Sequence, residues 1–198
     1  MQKFVNLLAG NPRILMFLRR ILEGNFNAQK KALQDDFTAK DGEKVLDIGC
    51  GTGEFSVFFQ NAVYTGIDAE KKYIDYAQRN CKGKFLIADA SHLPFSENAF
   101  DKVIIMGVLH HMNDEQCRRV FAEARRVLSS NGRMLVMEDI KLAEENFLTR
   151  FIHRFDLGKN IRNKEEYRIL LQRHFAIEKE FTIQNGLSPY RVFILRPL

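Results

Sequence analysis

Five short apolar runs, residues 45–48, 62–67, 84–88, 102–106 and 133–137, recur along the middle of this chain. Each is too short and too continuously apolar to be a surface helix, so each reads as a strand buried on both faces. Stretches of helical length separate them. The clearest is residues 114–128, where Val120, Phe121, Ala124, Val127 and Leu128 fall on one face and Arg118, Arg119, Arg125 and Arg126 point away. Asn113 is placed to cap that helix, and Gly132 lies just past its end. Strands alternating with helices predict a mainly parallel sheet covered on both sides, because parallel neighbours need a crossover connection. Near the end the pattern changes: residues 175–183 and 190–195 are extended, and the spacer 184–189 is too short for a helix. The expected fold class is therefore α/β: a doubly wound, seven-stranded, mostly parallel sheet closed by a C-terminal antiparallel hairpin.

A chain of 198 residues with 45% hydrophobic content fits one medium domain. At this size roughly 70% of the unfolded surface is buried, so neither disulfides nor a structural metal are needed for folding. The expected organisation is a single domain, 1–198, comprising an N-terminal helical arm or lid (1–43), a central core (44–139), an insertion on the substrate side (140–174) and a terminal hairpin (175–198). Cys50, Cys81 and Cys117 are odd in number and contain no CxxC pair, which disfavours a disulfide framework and a zinc site. No stretch reaches the roughly 18 apolar residues of a membrane span. The apolar N-terminal stretch is broken by Asn6, Asn11, Pro12 and Arg13 and shows no small-residue cleavage site. The expected location is the cytoplasm.

The net charge of +5 is unevenly spread. Residues 45–139 carry 11 basic against 13 acidic side chains, whereas residues 1–44 carry 8 against 5 and residues 140–198 carry 11 against 7. A basic excess outside the core suits an anionic substrate, a membrane surface or RNA, and equally an ordinary solvated face. No block of five or six like charges occurs, so a nucleic-acid tail is not indicated.

The strongest local signal is VLDIGCGTGEF, residues 45–55, in which an apolar strand runs straight into Gly49, Gly51 and Gly53. Residues 54–60 are then expected to begin a helix. The loop thus sits at the carboxyl end of the first strand, where open α/β sheets bind ligands. A side chain there would keep a ligand from the backbone, and positive φ costs glycine little. Dinucleotide-binding proteins share such turns, but the G-x-G-x-G spacing departs from theirs, and Asp47, two residues before the first glycine, would repel a pyrophosphate. It suits a ligand carrying an ammonium group. GIDAE (66–70) follows, with Asp68 placed to accept hydrogen bonds from both hydroxyls of a ribose. ADAS (88–91) ends the third strand, where Asp89 can accept from an exocyclic adenine amine and Ala90 offers its backbone N–H. One acid alone is unremarkable in a loop. Three at successive strand ends form a pattern.

With these motifs, and with ADASHLPF, FDKVIIMGVLHHM and RVLSSNGRMLVMED, the chain resembles the class I methyltransferases that use S-adenosylmethionine, in particular the broad group related to ubiquinone and menaquinone biosynthesis methyltransferases. The resemblance covers residues 44–139 and implies a Rossmann-like fold, S-adenosylmethionine as cofactor and S-adenosylhomocysteine as product. It implies that Asp47, Gly49, Cys50 and Gly51 line the methionine portion. Asp68 and Ala69 would then hold the ribose, Asp89 and Ala90 the adenine, and Gly107 and Val108 the region beneath the sulfonium. Ile48, Phe55, Ile67, Leu93 and Val108 would supply an apolar wall.

Methyl transfer from a sulfonium is an in-line displacement by an already activated reagent, so the protein contributes mostly orientation and desolvation. A base is needed only for an acceptor protonated at neutral pH. His110 and His111, just after the fourth strand, are the candidates; alternatively, one or both shape the loop. GVLHH is not the motif of amino-methylating DNA enzymes, no Pro-Cys nucleophile is present, and Cys50 reads as a small packed residue. Glu138 and Asp139 end the fifth strand without partner carboxylates at metal spacing, so no metal is expected.

The acceptor should be recognised outside the common core. Phe147, Phe151, Ile152, Phe155 and Leu157 alternate with Arg150, His153, Arg154 and Lys159, and the N-terminal arm sets Phe4, Leu7, Leu8, Ile14, Leu15, Phe17 and Leu18 beside Arg13, Arg19 and Arg20. Such segments suit a small-molecule or lipid-like acceptor with an anionic end, and peripheral contact with a membrane. RNA or protein methylation is the alternative enzyme reading, weakened by the lack of a dense basic stripe. A non-catalytic cofactor-binding partner protein is the third.

Overall fold

The computed structural model describes residues 14, 17, 20, 21, 23–141, 160–186 and 188–198. Seven strands form one sheet: β1 (Lys44–Ile48), β2 (Val63–Asp68), β3 (Lys84–Ile87), β4 (Phe100–Met106), β5 (Leu128–Asp139), β6 (Phe175–Asn185) and β7 (Ser188–Pro197). Their order is β3-β2-β1-β4-β5-β7-β6. The first five run parallel, and β7 lies antiparallel between β5 and β6. The expected fold class is borne out, including the C-terminal hairpin. Helices α1 (Asn27–Asp36), α2 (Lys71–Asn80), α3 (Asp114–Val127) and α4 (Lys164–Leu171) cover the sheet.

Alternation along each strand sends successive side chains to opposite faces. Leu46, Ile48, Ile67, Val103, Ile105 and Val136 pack with Val120, Phe121, Ala124 and Val127 of α3 and with Tyr167, Leu170 and Leu171 of α4. Val45, Tyr64, Ile104, Met106, Leu135 and Met137 join the other layer, with Leu33 of α1 and Ile74 and Ala77 of α2. Both faces are covered, which is why the strands are continuous apolar runs in the sequence. Between β1 and β4 the winding changes direction. This switch point opens a crevice at the carboxyl ends of the strands.

Asn113 caps α3 as expected, with a reciprocal capping box to Gln116. Gly132 does not end that helix. The chain passes from Val127 directly into β5, and Gly132 lies within the strand, where a Cβ would sit 2.9 Å from the Asp101 carbonyl oxygen and 2.5 Å from Leu128 Cδ1. It is a close-approach glycine. The helix expected over 54–60 is reduced to a single 3-10 turn, Ser56–Phe59. Ser56 places both its N–H and its hydroxyl on the Gly53 carbonyl, at 3.1 and 2.8 Å, and this three-residue closure competes with α-helical bonding.

Before α1, Gly24, Asn25 and Phe26 all have positive φ. The turn buries Phe26 edge-on against Phe55, with ring centroids 5.8 Å apart, and so props the glycine loop from behind. Residues 14, 17, 20 and 21 are helical. The remaining arm residues singled out above, and Phe147, Arg150, Phe151, Ile152, His153, Arg154, Phe155, Leu157 and Lys159, lie outside the described residues. No described helix is long and apolar enough to cross a membrane.

Candidate active site

The glycine loop begins where β1 ends. Gly49 N and Cys50 N both donate to the Ile67 carbonyl, at 2.8 and 2.9 Å, so the loop is pinned to β2 as it leaves the sheet. Gly49 has φ +76°, and a Cβ there would lie 2.3 Å from Val108 Cγ2; the post-β4 loop leaves no room for a side chain. Gly51 differs. Its φ is +52°, a Cβ would meet nothing within 4 Å, and its N–H donates to Asp68 Oδ2 at 2.9 Å. One glycine is required by packing and the other presents bare backbone to open space. Cys50 is buried against Gly66, and burial drives its thiol far above its ordinary value, so it is the inert, packed residue expected.

Asp47 is 2% exposed and accepts a 2.5 Å hydrogen bond from Tyr64 Oη. Burial pushes its carboxyl up to about 7, with Tyr64 opposing and the negative charge of Asp68 adding to the rise. Asp68, half-buried, takes Gly51 N–H on one oxygen and Glu70 N–H on the other, the latter at 2.8 Å. Burial raises it, and the backbone donors pull it back. Each oxygen has a second lone pair with which to accept a ribose hydroxyl. Asp89 lies in the open loop after β3 and accepts from both Ser91 N and Ser91 Oγ at 2.8 Å, bonds that hold it below the usual carboxylate range. Ala88 N donates to the Asp68 carbonyl and joins that loop to β2; Ala69 is exposed and Ala90 is half-buried against the core.

The donor set fits the implied cofactor. The charged groups around Gly51 are carboxylates, and the described cation at the loop, Arg20, is paired with Glu54 at 3.1 Å. A pyrophosphate would face Asp47 and Asp68 there. A cationic sulfonium nucleoside would face compensation. The apolar wall needs correction. Ile48, Ile67, Leu93 and Val108 belong to one face of the sheet, while Phe55 packs in the layer on the opposite face, behind the loop.

Across the crevice, Gly107 (φ +66°) leaves β4 with its N–H on the Met137 carbonyl at 2.9 Å. Glu138, fully buried on β5, holds the next residues. Its Oε1 accepts from Val108 N and Leu109 N at 2.7 and 2.8 Å, and its Oε2 lies 3.0 Å from His110 Nδ1. His110 is buried and His111 exposed, with the rings 4.0 Å apart. The two histidines therefore differ in role: Glu138 fixes one, and the other covers it. From the opposite side the buried Arg162 donates to the carbonyls of Leu109, Met112 and Asn160 and to the Asp114 carboxylate. Among the described residues, no group of three or more His, Cys, Asp or Glu could hold a metal ion.

Tyr64, Glu138 and Arg162 were not singled out for these contacts. Tyr64 reads as an ordinary strand aromatic, and Glu138 has its partners 28 to 30 residues away. Arg162 reaches the Leu109 carbonyl across 53 residues, with no local pattern to mark it.

Residues 45–132 match a family model described as a methyltransferase domain. The demethylmenaquinone methyltransferase of Thermotoga maritima is 32% identical over 127 residues, covering 61% of this chain and 55% of that protein, so the match spans little more than half of the relative. The PH0226 protein of Pyrococcus horikoshii superimposes with a TM-score of 0.73 at 21% identity, over 91% of this chain and 96% of the other. Geranyl diphosphate C-methyltransferase from Streptomyces coelicolor, in complex with S-adenosyl-L-homocysteine, gives 0.73 at 14% identity, over 86% and 80%. The structural likenesses show the fold, and the family-model match runs from β1 into the start of β5, taking in the loops after β1, β2, β3 and β4. Over residues 45–132 the chain is thus similar in sequence to a methyltransferase domain, and its fold is that of proteins described as methyltransferases.

Proposed function

We propose that the chain transfers the methyl group of S-adenosylmethionine to a small organic or lipid-like acceptor. The observation that carries the reading is the pairing of two poorly compensated acids, Asp47 and Asp68, with the open backbone of Gly51. When bound, the cofactor supplies an activated methyl group on a positively charged sulfur. The chain's residues bind and orient it: Asp47 and the loop backbone serve the methionine end, Asp68 and Ala69 the ribose, and Asp89 and Ala90 the adenine. Gly107 and Val108 floor the crevice beside Gly49, and His110 is the base for an acceptor that must lose a proton. The similar proteins named for demethylmenaquinone and geranyl diphosphate support an organic acceptor.

Incubation with methyl-labelled cofactor and a metabolite extract tests the reading. Label should enter an organic-extractable product. Label appearing in added RNA or protein instead would move the acceptor to a macromolecule, and binding without transfer to any fraction would leave a cofactor-binding partner protein.

A further inference from the structure

We infer that Glu138 is the positioning residue of the methyl-transfer loop: it holds His110 as the Nδ1–H tautomer, so that Nε2 is the nitrogen that takes the acceptor's proton. The inference rests on the reading of His110 as the base. Its geometric ground is a division of labour between two oxygens. Oε1 accepts the Val108 and Leu109 N–H groups, while Oε2 faces His110 Nδ1 at 3.0 Å. A carboxylate only accepts, so Nδ1 must donate. One buried side chain thus sets the backbone of the loop and the orientation of its imidazole, as an orienting carboxylate does for a catalytic histidine.

The acceptor's proton moves to Nε2. With the cofactor bound, the freed electron pair would form the bond to the methyl carbon as the carbon–sulfur pair left with sulfur, and the imidazolium would be stabilised beside Glu138. Cys117 from α3 and Tyr167 from α4 also face Glu138, and Arg162, from the segment before α4, lies over the Tyr167 ring. Burial pushes Cys117 up to about 11 and Tyr167 higher, so they stay protonated through the neutral range, and Arg162 stays charged.

Glu138→Gln separates positioning from mere structure. The retained Oε1 still accepts both backbone N–H groups, but the new amide donates to Nδ1 and forces the Nε2–H tautomer. Nitrogen NMR of histidine-labelled protein should show Nδ1–H at His110 in the wild type and Nε2–H in the variant. Cofactor affinity should stay within a few-fold, and methyl transfer should fall about 10²-fold. Adding Glu138→Gln to His110→Ala should cost nothing further. A wild-type ring in the Nε2–H form, or a variant with full transfer activity, would overturn the inference even if the variant were poorly folded in other respects. Wild-type protein with the Nδ1–H form that methylates nothing would instead refute the functional reading and the role of Nε2, while supporting the positioning by Glu138.

Discussion

The two sides of the crevice handle buried charge in opposite ways. On the β1–β2 side, Asp47 has a phenol for a partner and feels the negative charge of a second carboxylate, Asp68. On the β4–β5 side, Glu138 is satisfied by two backbone N–H groups and an imidazole, and Arg162 by three carbonyls and Asp114. A buried anion without a cation is costly, whereas a fully hydrogen-bonded network is rigid. On the proposed reading a positive ligand completes the first side, and the second holds the loop still beside it.

The largest break in this contrast should come from Arg162→Met. Removing the cation strands three carbonyls and should cost about 3 kcal/mol of stability, measured by urea unfolding, with cofactor affinity changed only a few-fold. Asp47→Asn should do the reverse, weakening cofactor binding about tenfold while stabilising the free protein on the order of 2 kcal/mol above neutral pH. The sign follows from protons. With the folded carboxyl raised to about 7 from an ordinary 3.8, the native state holds more protons than the unfolded chain between those values. Wild-type stability therefore declines as pH rises through that window, and the amide removes the decline. Melting curves of both proteins at acidic and alkaline pH check it. The smallest effect belongs to Arg20→Ala: its pair with Glu54 is half exposed on the arginine side, so stability should move by less than about 0.5 kcal/mol.

The sheet was legible because burial on both faces leaves unbroken apolar runs, and the glycine loop because Gly49 has no room for a side chain beside Val108 while Gly51 keeps its backbone bare to open space. Asp68 was legible from its place at a strand end. What escaped was long-range. Arg162 binds a loop 53 residues earlier, and Glu138 reads as one of two acids closing a strand until its donors are seen. Gly132 misled because a glycine after a helix usually caps it, whereas here the Asp101 carbonyl and Leu128 demand it. The short turn at Ser56–Phe59 was hidden because the seryl hydroxyl competes for a carbonyl that hydrophobic pattern alone assigns to a helix.

Titration calorimetry of the wild-type protein with S-adenosylmethionine across neutral pH bears most directly on the central claim. The account predicts one site per chain, with affinity that weakens as pH falls below about 7 and Asp47 takes up its proton. Uptake of a nicotinamide dinucleotide with no heat from the sulfonium nucleoside, or affinity that strengthens with acid, would contradict it.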